Sequence, residues 1–316
     1  MRRLMTHPAT LTAPLHHQQK RRATRQNLQF CRQLARLALR SLHQELVLYP
    51  KPGLVSLVDN GSHEDMDAGI FLRSLFSLRH YFFQIAAAGL KGEPFHQLQT
   101  LAIAAEARML RATGGVNTHR GAIFALGMLC AAMAYCRGRK MPLQAEVIRA
   151  TLLIQWGDAL ARHSGVHGSA GQCSHGQRVA LAHAVGGARE EGALGFPAVF
   201  EVALPQLQCA LAQGRGPDEA RIDALFALMA HISDTNVYHR GGAQGAQRVR
   251  QQSAAFLAAG GTAAAGWRAQ ALACHHDFVT HRLSPGGAAD LLAAACLVHQ
   301  AMALDAGAGA PVQGRA

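Results

Sequence analysis

The sequence predicts an all-α protein, a single helical bundle-like domain with polar clusters at its helix ends forming one cleft. Three observations predict it. Hydrophobic residues make up 49% of the 316 positions and aromatics only 6%, so alanine and leucine carry most of the apolar mass, a mix that favours helix over strand. Phe71, Leu75, Leu78, Phe82 and Ile85 step by four and three, the stripe of a helix with one buried face. Residues 121–136 are apolar all round, which marks a central, fully buried helix. No strand alternation and no internal repeat competes with this reading.

The elements follow in order. Residues 1–27 read as a disordered basic tail, and 28–305 as one all-helical domain. Residues 28–47 place Leu34, Leu37, Ala38 and Leu42 on one side of an amphipathic helix, which "YPKPGLV" breaks with two prolines and a glycine. The polar loop "SLVDNGSHEDMDAG" precedes the Phe71–Ile85 stripe. "GLKGEPF" turns the chain into a helix over 96–112, and the buried helix over 121–136 is followed by another over 141–163. Residues 164–177 are rich in Gly, Ser and His and read as a loop; the histidine spacing over 163–175 could take up a metal adventitiously, but plain loop is favoured. Helices fit Phe196–Ala212 and Ile222–Ile232, with Pro197 near the start of the first, where a missing N–H costs nothing. In "SPGGAADLLAAACLVHQAMAL", Ser284 is the expected N-cap and Pro285 the first helical residue. Residues 306–316 read as a frayed Gly/Ala-rich tail.

Charge and cysteine narrow the class. The net charge is +12, but residues 1–44 hold nine Lys or Arg and no acid; 31 less these nine leaves 22 basic against 19 acidic residues. The positive charge therefore belongs mostly to the tail, and no nucleic-acid partner is inferred from a near-neutral body. The N-terminus lacks the apolar run of a secretory signal, and Ala122–Tyr135 is too short to cross a bilayer, so no membrane partner and a cytoplasmic location are expected. Seven cysteines at 31, 130, 136, 173, 209, 274 and 296 include no CxxC pair and read as reduced residues, several in apolar helices.

Polar clusters recur at the ends of apolar helices: "DNGSHEDMD", "VNTHRG", "SDTNVYHRGG" and "LSPGG". Helix N-termini present free N–H groups and partial positive charge, so they suit anions. In "NTHRG", Asn117, Thr118, His119 and Arg120 exceed what a helix cap needs. Asp65 and Asp67 could converge on one Mg²⁺ from a loop, or one of them could simply cap a helix. Asp234, Asn236, His239 and Arg240 crowd what reads as the end of a helix, where the dipole disfavours an aspartate.

In this order the clusters resemble the triphosphoribosyl-dephospho-coenzyme A synthase family. The matching blocks are "ELVLYPKPGLVSLVDNGSHEDMDAGIFLRSL", "GGVNTHRGAIFALG", "GGAREEGALGFPAVFEVALP", "DTNVYHRGG" and "LSPGGAADLLA", spanning residues 45–293. One departure is Arg120, where the family usually has Lys; a planar fork that can grip phosphate bidentately replaces a compact ammonium. The basic tail and the His-rich loop are also outside the family's pattern.

The resemblance implies an all-helical transferase that takes ATP and 3'-dephospho-coenzyme A, displaces adenine, and joins C1 of the ribose to the 2'-hydroxyl of dephospho-coenzyme A. The product is the precursor of an acyl carrier protein's prosthetic group, passed on to a transferase that attaches it. Of two branches, one serving citrate lyase and one malonate decarboxylase, the chain looks more like the second, a stand-alone protein with no fused transferase domain. An ADP-ribosyl glycohydrolase-like, magnesium-dependent hydrolase is the alternative from another reaction class. An isoprenoid synthase would need DDxxD-like motifs, and this chain has none. A nucleic-acid binder would rest on the tail alone.

Chemistry suggests the roles. Asp65, Asp67 and Glu106 are the expected Mg²⁺ ligands, with Asp234 as an alternative third. Asn117, Thr118, His119, Arg120 and Asn236 are expected to bind phosphate or nucleotide, with Lys51 and Arg240 adding positive charge. Asp234 or His63 is the expected base for the attacking hydroxyl. The chain has no GxxxxGK[ST] loop, which suits a reaction in which the triphosphate survives intact.

Overall fold

The computed structural model describes residues 13–164 and 187–308. All described secondary structure is helical, and no strand occurs among these residues. The helices are α1 (Ala13–Val47), α2 (Ala68–Ser77), α3 (Tyr81–Lys91), α4 (Phe95–Ala112), α5 (Arg120–Gly138), α6 (Ala145–Ser164) and α7 (Ala188–Ala193). A π-helical turn over Ala198–Ala203 leads into α8 (Leu204–Ala212), followed by α9 (Pro217–His231), α10 (Thr235–Ala258), α11 (Trp267–Thr280) and α12 (Gly286–Ala308).

The apolar helix α5 is central, as its composition requires. It packs against α1, α3, α4, α6 and α12. Its closest neighbour is α3, where Gly89 lets the two backbones touch: a Cβ there would lie 2.4 Å from Ala131 Cα. By length and composition α5 and Gly286–Leu304 of α12 could cross a membrane, but 72% and 56% of these segments are buried inside the protein. Both are core helices here, and α5 extends past the apolar run at each end.

Several boundaries differ from expectation. Helix α1 begins at Ala13, within the stretch read as a tail; Arg22–Gln26 are exposed and the first buried side chain is Phe30. The Phe71–Ile85 stripe is two helices. Leu78 N donates to Leu75 O at 3.1 Å and Tyr81 N to Leu78 O at 3.0 Å, so a tight i→i+3 turn joins α2 to α3. Such a turn shifts the side-chain period too little to disturb the stripe. Helix α12 starts at Gly286, and Ser284 does not cap it with its side chain; its hydroxyl pairs with His63. Helices α10 and α11 have no clear apolar stripe and were not anticipated. The His-rich loop beyond Ser164 and Cys173 lie outside the described residues. The six described cysteines are free, and all but Cys209 are buried.

Leu283, between α11 and α12, locks three segments together. Ser62 Oγ donates to its carbonyl at 2.6 Å. At Gly53 (φ +69°) a Cβ would lie 2.1 Å from that same oxygen. On the other side, Cβ atoms at Gly241 and Gly245 would stand 2.4 and 2.7 Å from Leu283 Cδ2.

Candidate active site

The start of α5 is already furnished with acceptors from the protein. Asn117 Oδ1 accepts from Arg120 N at 3.2 Å, and the His119 carbonyl accepts from Ile123 N at 2.8 Å. The Asp290 carboxylate accepts from the Ala122 N–H. It lies so close that a Cβ at Gly121 would be 2.1 Å from Asp290 Oδ2. The side chain of Arg120 turns to Glu106, with Nε and Nη2 at 2.6 and 2.5 Å from Oε1. The polar run thus caps α5 and ties it to α4 and α12, and its backbone donors are largely used within the protein.

Behind it lies a buried cluster of charge. Lys51 is 1% exposed and donates to Glu45 Oε1 at 2.6 Å. Burial holds the Lys51 ammonium below its ordinary pKa, opposed by Glu45. His119, 3% exposed, is neutral, its pKa lowered to about 4 by burial and by Lys51. Its Nδ1 is 2.6 Å from Ser74 Oγ, and Thr118 Oγ1 donates to Ser74 Oγ at 2.6 Å. With Thr118 donating, the Ser74 proton goes to Nδ1 and the ring proton sits on Nε2, a buried atom with no partner among the described residues. Asp290 is only partly covered at its surface, yet its carboxyl sits deep. Burial, Glu45 and Asp234 together push its pKa well above the carboxylate range.

A second group gathers around loop 59–67. The Nδ1 of His63 is 3.0 Å from Arg240 Nη2, and Nε2 is 2.8 Å from Ser284 Oγ. Arg240 can only donate, so His63 carries its proton on Nε2 and gives it to Ser284. Burial and then Arg240 lower its pKa to about 4. Arg240 Nη1 also donates to the Ser62 carbonyl at 2.9 Å, pinning the loop to α10.

Asp234 lies three residues after α9 ends at His231, as the sequence reading had it, but it is also the N-cap of α10, so the dipole it meets is the favourable one. Its Oδ1 accepts from Asn236 N at 2.9 Å and Oδ2 from Ala288 N at 3.1 Å, with Val237 and Gly287 N–H groups adding to these. One buried carboxylate therefore caps α10 and α12 together, where the helix dipoles favour it. Burial still raises its pKa. Asn236 contributes its backbone N–H, and its side chain is at the surface.

The expected metal ligands do not converge. Asp67 caps α2 by accepting from Ile70 N at 2.7 Å. Glu106 is paired with Arg120, and Asp65 is exposed, 3.6 Å from His63 Nδ1. Among the described residues no group of three or more His, Cys, Asp or Glu is placed to hold a metal ion. The set does not fit Mg²⁺ as protein ligands alone, and no chemical step is routed through it.

Two members of the site were not singled out from sequence, Glu45 and Asp290. Each is a lone acid inside an apolar helical run, "QELVLYP" and "AADLLAAA", and that isolation is the signal that could have found them. Ser74 and Ser284 were missed as the partners of His119 and His63, because a serine in a sequence says nothing of what its side chain meets.

In sequence the chain is similar to proteins of one family. The CitG family, ATP:dephospho-CoA triphosphoribosyl transferase, matches residues 31–308. A Pseudomonas fluorescens protein named "Probable 2-(5''-triphosphoribosyl)-3'-dephosphocoenzyme-A synthase" is 41% identical over 278 residues, 86% of this chain and 92% of the relative. Proteins of the same name from Acinetobacter calcoaceticus and Pseudomonas putida are 39% and 42% identical, covering 81% and 86% of this chain and 86% and 95% of their own lengths. No solved structure matches.

Proposed function

The chain belongs to the ATP:dephospho-CoA triphosphoribosyl transferase family, and from that membership we propose how its site makes 2'-(5''-triphosphoribosyl)-3'-dephospho-CoA. The bond from ribose C1 of ATP to adenine breaks, and a bond from C1 to the 2'-hydroxyl oxygen of 3'-dephospho-CoA forms. The transition state has oxocarbenium character, which nearby carboxylates stabilise. One proton must reach the departing adenine and one must leave the attacking hydroxyl.

The observation that carries the assignment of roles is Asp290. On a half-buried residue, its carboxyl lies against the start of α5 beside Gly121, and burial with Glu45 and Asp234 raises its pKa well above the ordinary value. As an acid it gives its proton to adenine, and the carboxylate so formed takes the proton of the 2'-hydroxyl, which closes the proton balance. The two groups first expected as base are committed elsewhere: Asp234 to four backbone N–H groups, and both ring nitrogens of His63 to Arg240 and Ser284. They position the substrates' surroundings. Arg240 and Arg120 supply positive charge at the accessible edge for the phosphates of ATP and dephospho-CoA. Magnesium, expected with ATP, would be held by the triphosphate oxygens.

The product is read as serving the acyl carrier protein of a malonate decarboxylase by way of an attaching transferase, in the cytoplasm. This branch rests on the sequence resemblance. Offering the product and its transferase both carrier proteins, that of malonate decarboxylase and that of citrate lyase, tests it; labelling of the citrate lyase carrier alone would overturn it.

The reaction itself is tested with purified protein, ATP, Mg²⁺ and 3'-dephospho-CoA. Adenine should appear only when dephospho-CoA is present, with no inorganic phosphate. ADP or AMP as the stoichiometric product would overturn the reading. Adenine released without dephospho-CoA would favour the hydrolase.

A further inference from the structure

A cavity of about 560 Å³ lies along the outer face of α10, floored by Gly241, Gly245 and Leu283. Its volume is in the range of small-molecule sites. The wall is a row of amides: Gln244, Gln247 and Gln251, with Gln252 beside them. Residues three and four apart on a helix stand about 5–6 Å from one another. From Gln244 to Gln252 the helix rises about 12 Å.

Two features set this row apart from an ordinary solvated helix face. Arg248 and Gln252 are drawn to Asp277 of α11 at 2.9 and 2.6 Å, which offsets the one arginine and fixes the far wall. The amides of Gln244, Gln247 and Gln251 make no hydrogen bond within the described residues and are exposed along the cavity. The middle of the groove therefore offers donors and acceptors with little net charge. Its near end is different. Gly241 and Leu283 adjoin Arg240 and the exposed Arg282, two guanidiniums faced by the exposed carboxylates of Asp65 and Glu64, the latter 3.7 Å from Arg282, which a phosphate would displace.

We propose that this groove holds the pantetheine arm of 3'-dephospho-CoA, its amides paired with the glutamine row and its pyrophosphate at Arg240 and Arg282. The inference rests on the transferase reading above. The chemistry matches end to end. The arm carries two amides joined by two methylenes, a spacing close to one turn of helix. The pyrophosphate follows the arm, and beyond it the adenosine carries the reacting 2'-hydroxyl, on the side where Arg240 meets His63 and Ser284. ATP has no such arm, so the groove distinguishes the acceptor from the donor nucleotide.

Calorimetry with 4'-phosphopantetheine and with ADP separates the two halves of the acceptor. Gln244→Ala/Gln251→Ala should weaken 4'-phosphopantetheine binding about thirtyfold, the loss of two neutral hydrogen bonds at about 1 kcal/mol each. ADP binding and the KM for ATP should not change, and the KM for dephospho-CoA should rise with kcat retained. If the double variant binds 4'-phosphopantetheine as the wild type does, or loses ADP equally, the groove assignment is wrong. If wild-type protein turns over no dephospho-CoA, the reaction assignment fails instead, and the adenine assay shows that without any variant.

Discussion

Asp234 and Asp290 look alike in sequence and have different surroundings. Asp234 receives four N–H groups from two helix starts, whereas Asp290 receives one and keeps some exposed surface. Asp290→Asn should lower kcat by about 10²–10⁴-fold, the usual worth of a proton-transfer group, with an unchanged melting temperature. Asp234→Asn should do the reverse, lowering stability by about 2 kcal/mol through weakened caps while the folded protein turns over within a few-fold of wild type. Equal losses of turnover in the two variants would contradict the division of roles. His63 makes a prediction in pH. Its folded pKa of about 4 lies below the ordinary value of 6.5. The folded state therefore resists protonation there, and this contribution is complete above pH 6.5 and is lost as pH falls toward 4. In His63→Asn, the drop in unfolding free energy between pH 7 and pH 4.5 should be smaller than in wild type by about 1–2 kcal/mol, as denaturant titrations at the two pH values would show. Capping by Asp67 was legible because it needs only local chain. The partners of Arg120 and Asp234 were not, since Glu106 and Ala288 lie 14 and 54 residues away.

At the scale of the element, the helices that could be read were those with an apolar stripe or an apolar whole. Helix α10 has neither: it is rich in glutamine and glycine and binds the body through Val237, Ala246, Val249 and Phe256. Period alone could not find it, nor the turn that divides α2 from α3. Helix α10 also changes direction at Gly242, whose φ of 59° and ψ of −158° belong to a region that only glycine enters readily. A Cβ there would meet nothing within 4 Å, so any effect of replacement comes from the backbone and not from crowding. Gly242→Ala should cost about 1–3 kcal/mol by chemical denaturation. It should also raise the KM for dephospho-CoA, since the kink sets the angle between Arg240 and the glutamine row. A stability change under about 0.5 kcal/mol would show that the chain passes through this bend without strain.

For the molecule as a whole, the all-helical class followed from composition, and the gathering of polar loops around α5, α10 and α12 could be anticipated only from their recurrence at helix ends. Their actual pairing needed three dimensions. The described core begins at Phe30, so deleting residues 1–21 should leave adenine release within about twofold of wild type. Loss of turnover on that deletion would assign the basic segment to the reaction. Leu283 has a consequence on another timescale. Gly53 abuts its carbonyl, and Gly241 and Gly245 abut its side chain. Enlarging Gly245 to alanine crowds Leu283 Cδ2, while shortening Leu283 to alanine empties the space that the two glycines of α10 exist to provide. Each step alone should destabilise, and the pair Gly245→Ala/Leu283→Ala should be milder than the sum by about 1 kcal/mol or more. Strict additivity in that cycle would refute the coupling. Where it holds, a change at one position passes through a weakened intermediate before the other compensates, so Leu283 and the glycines of α10 act as one unit of substitution.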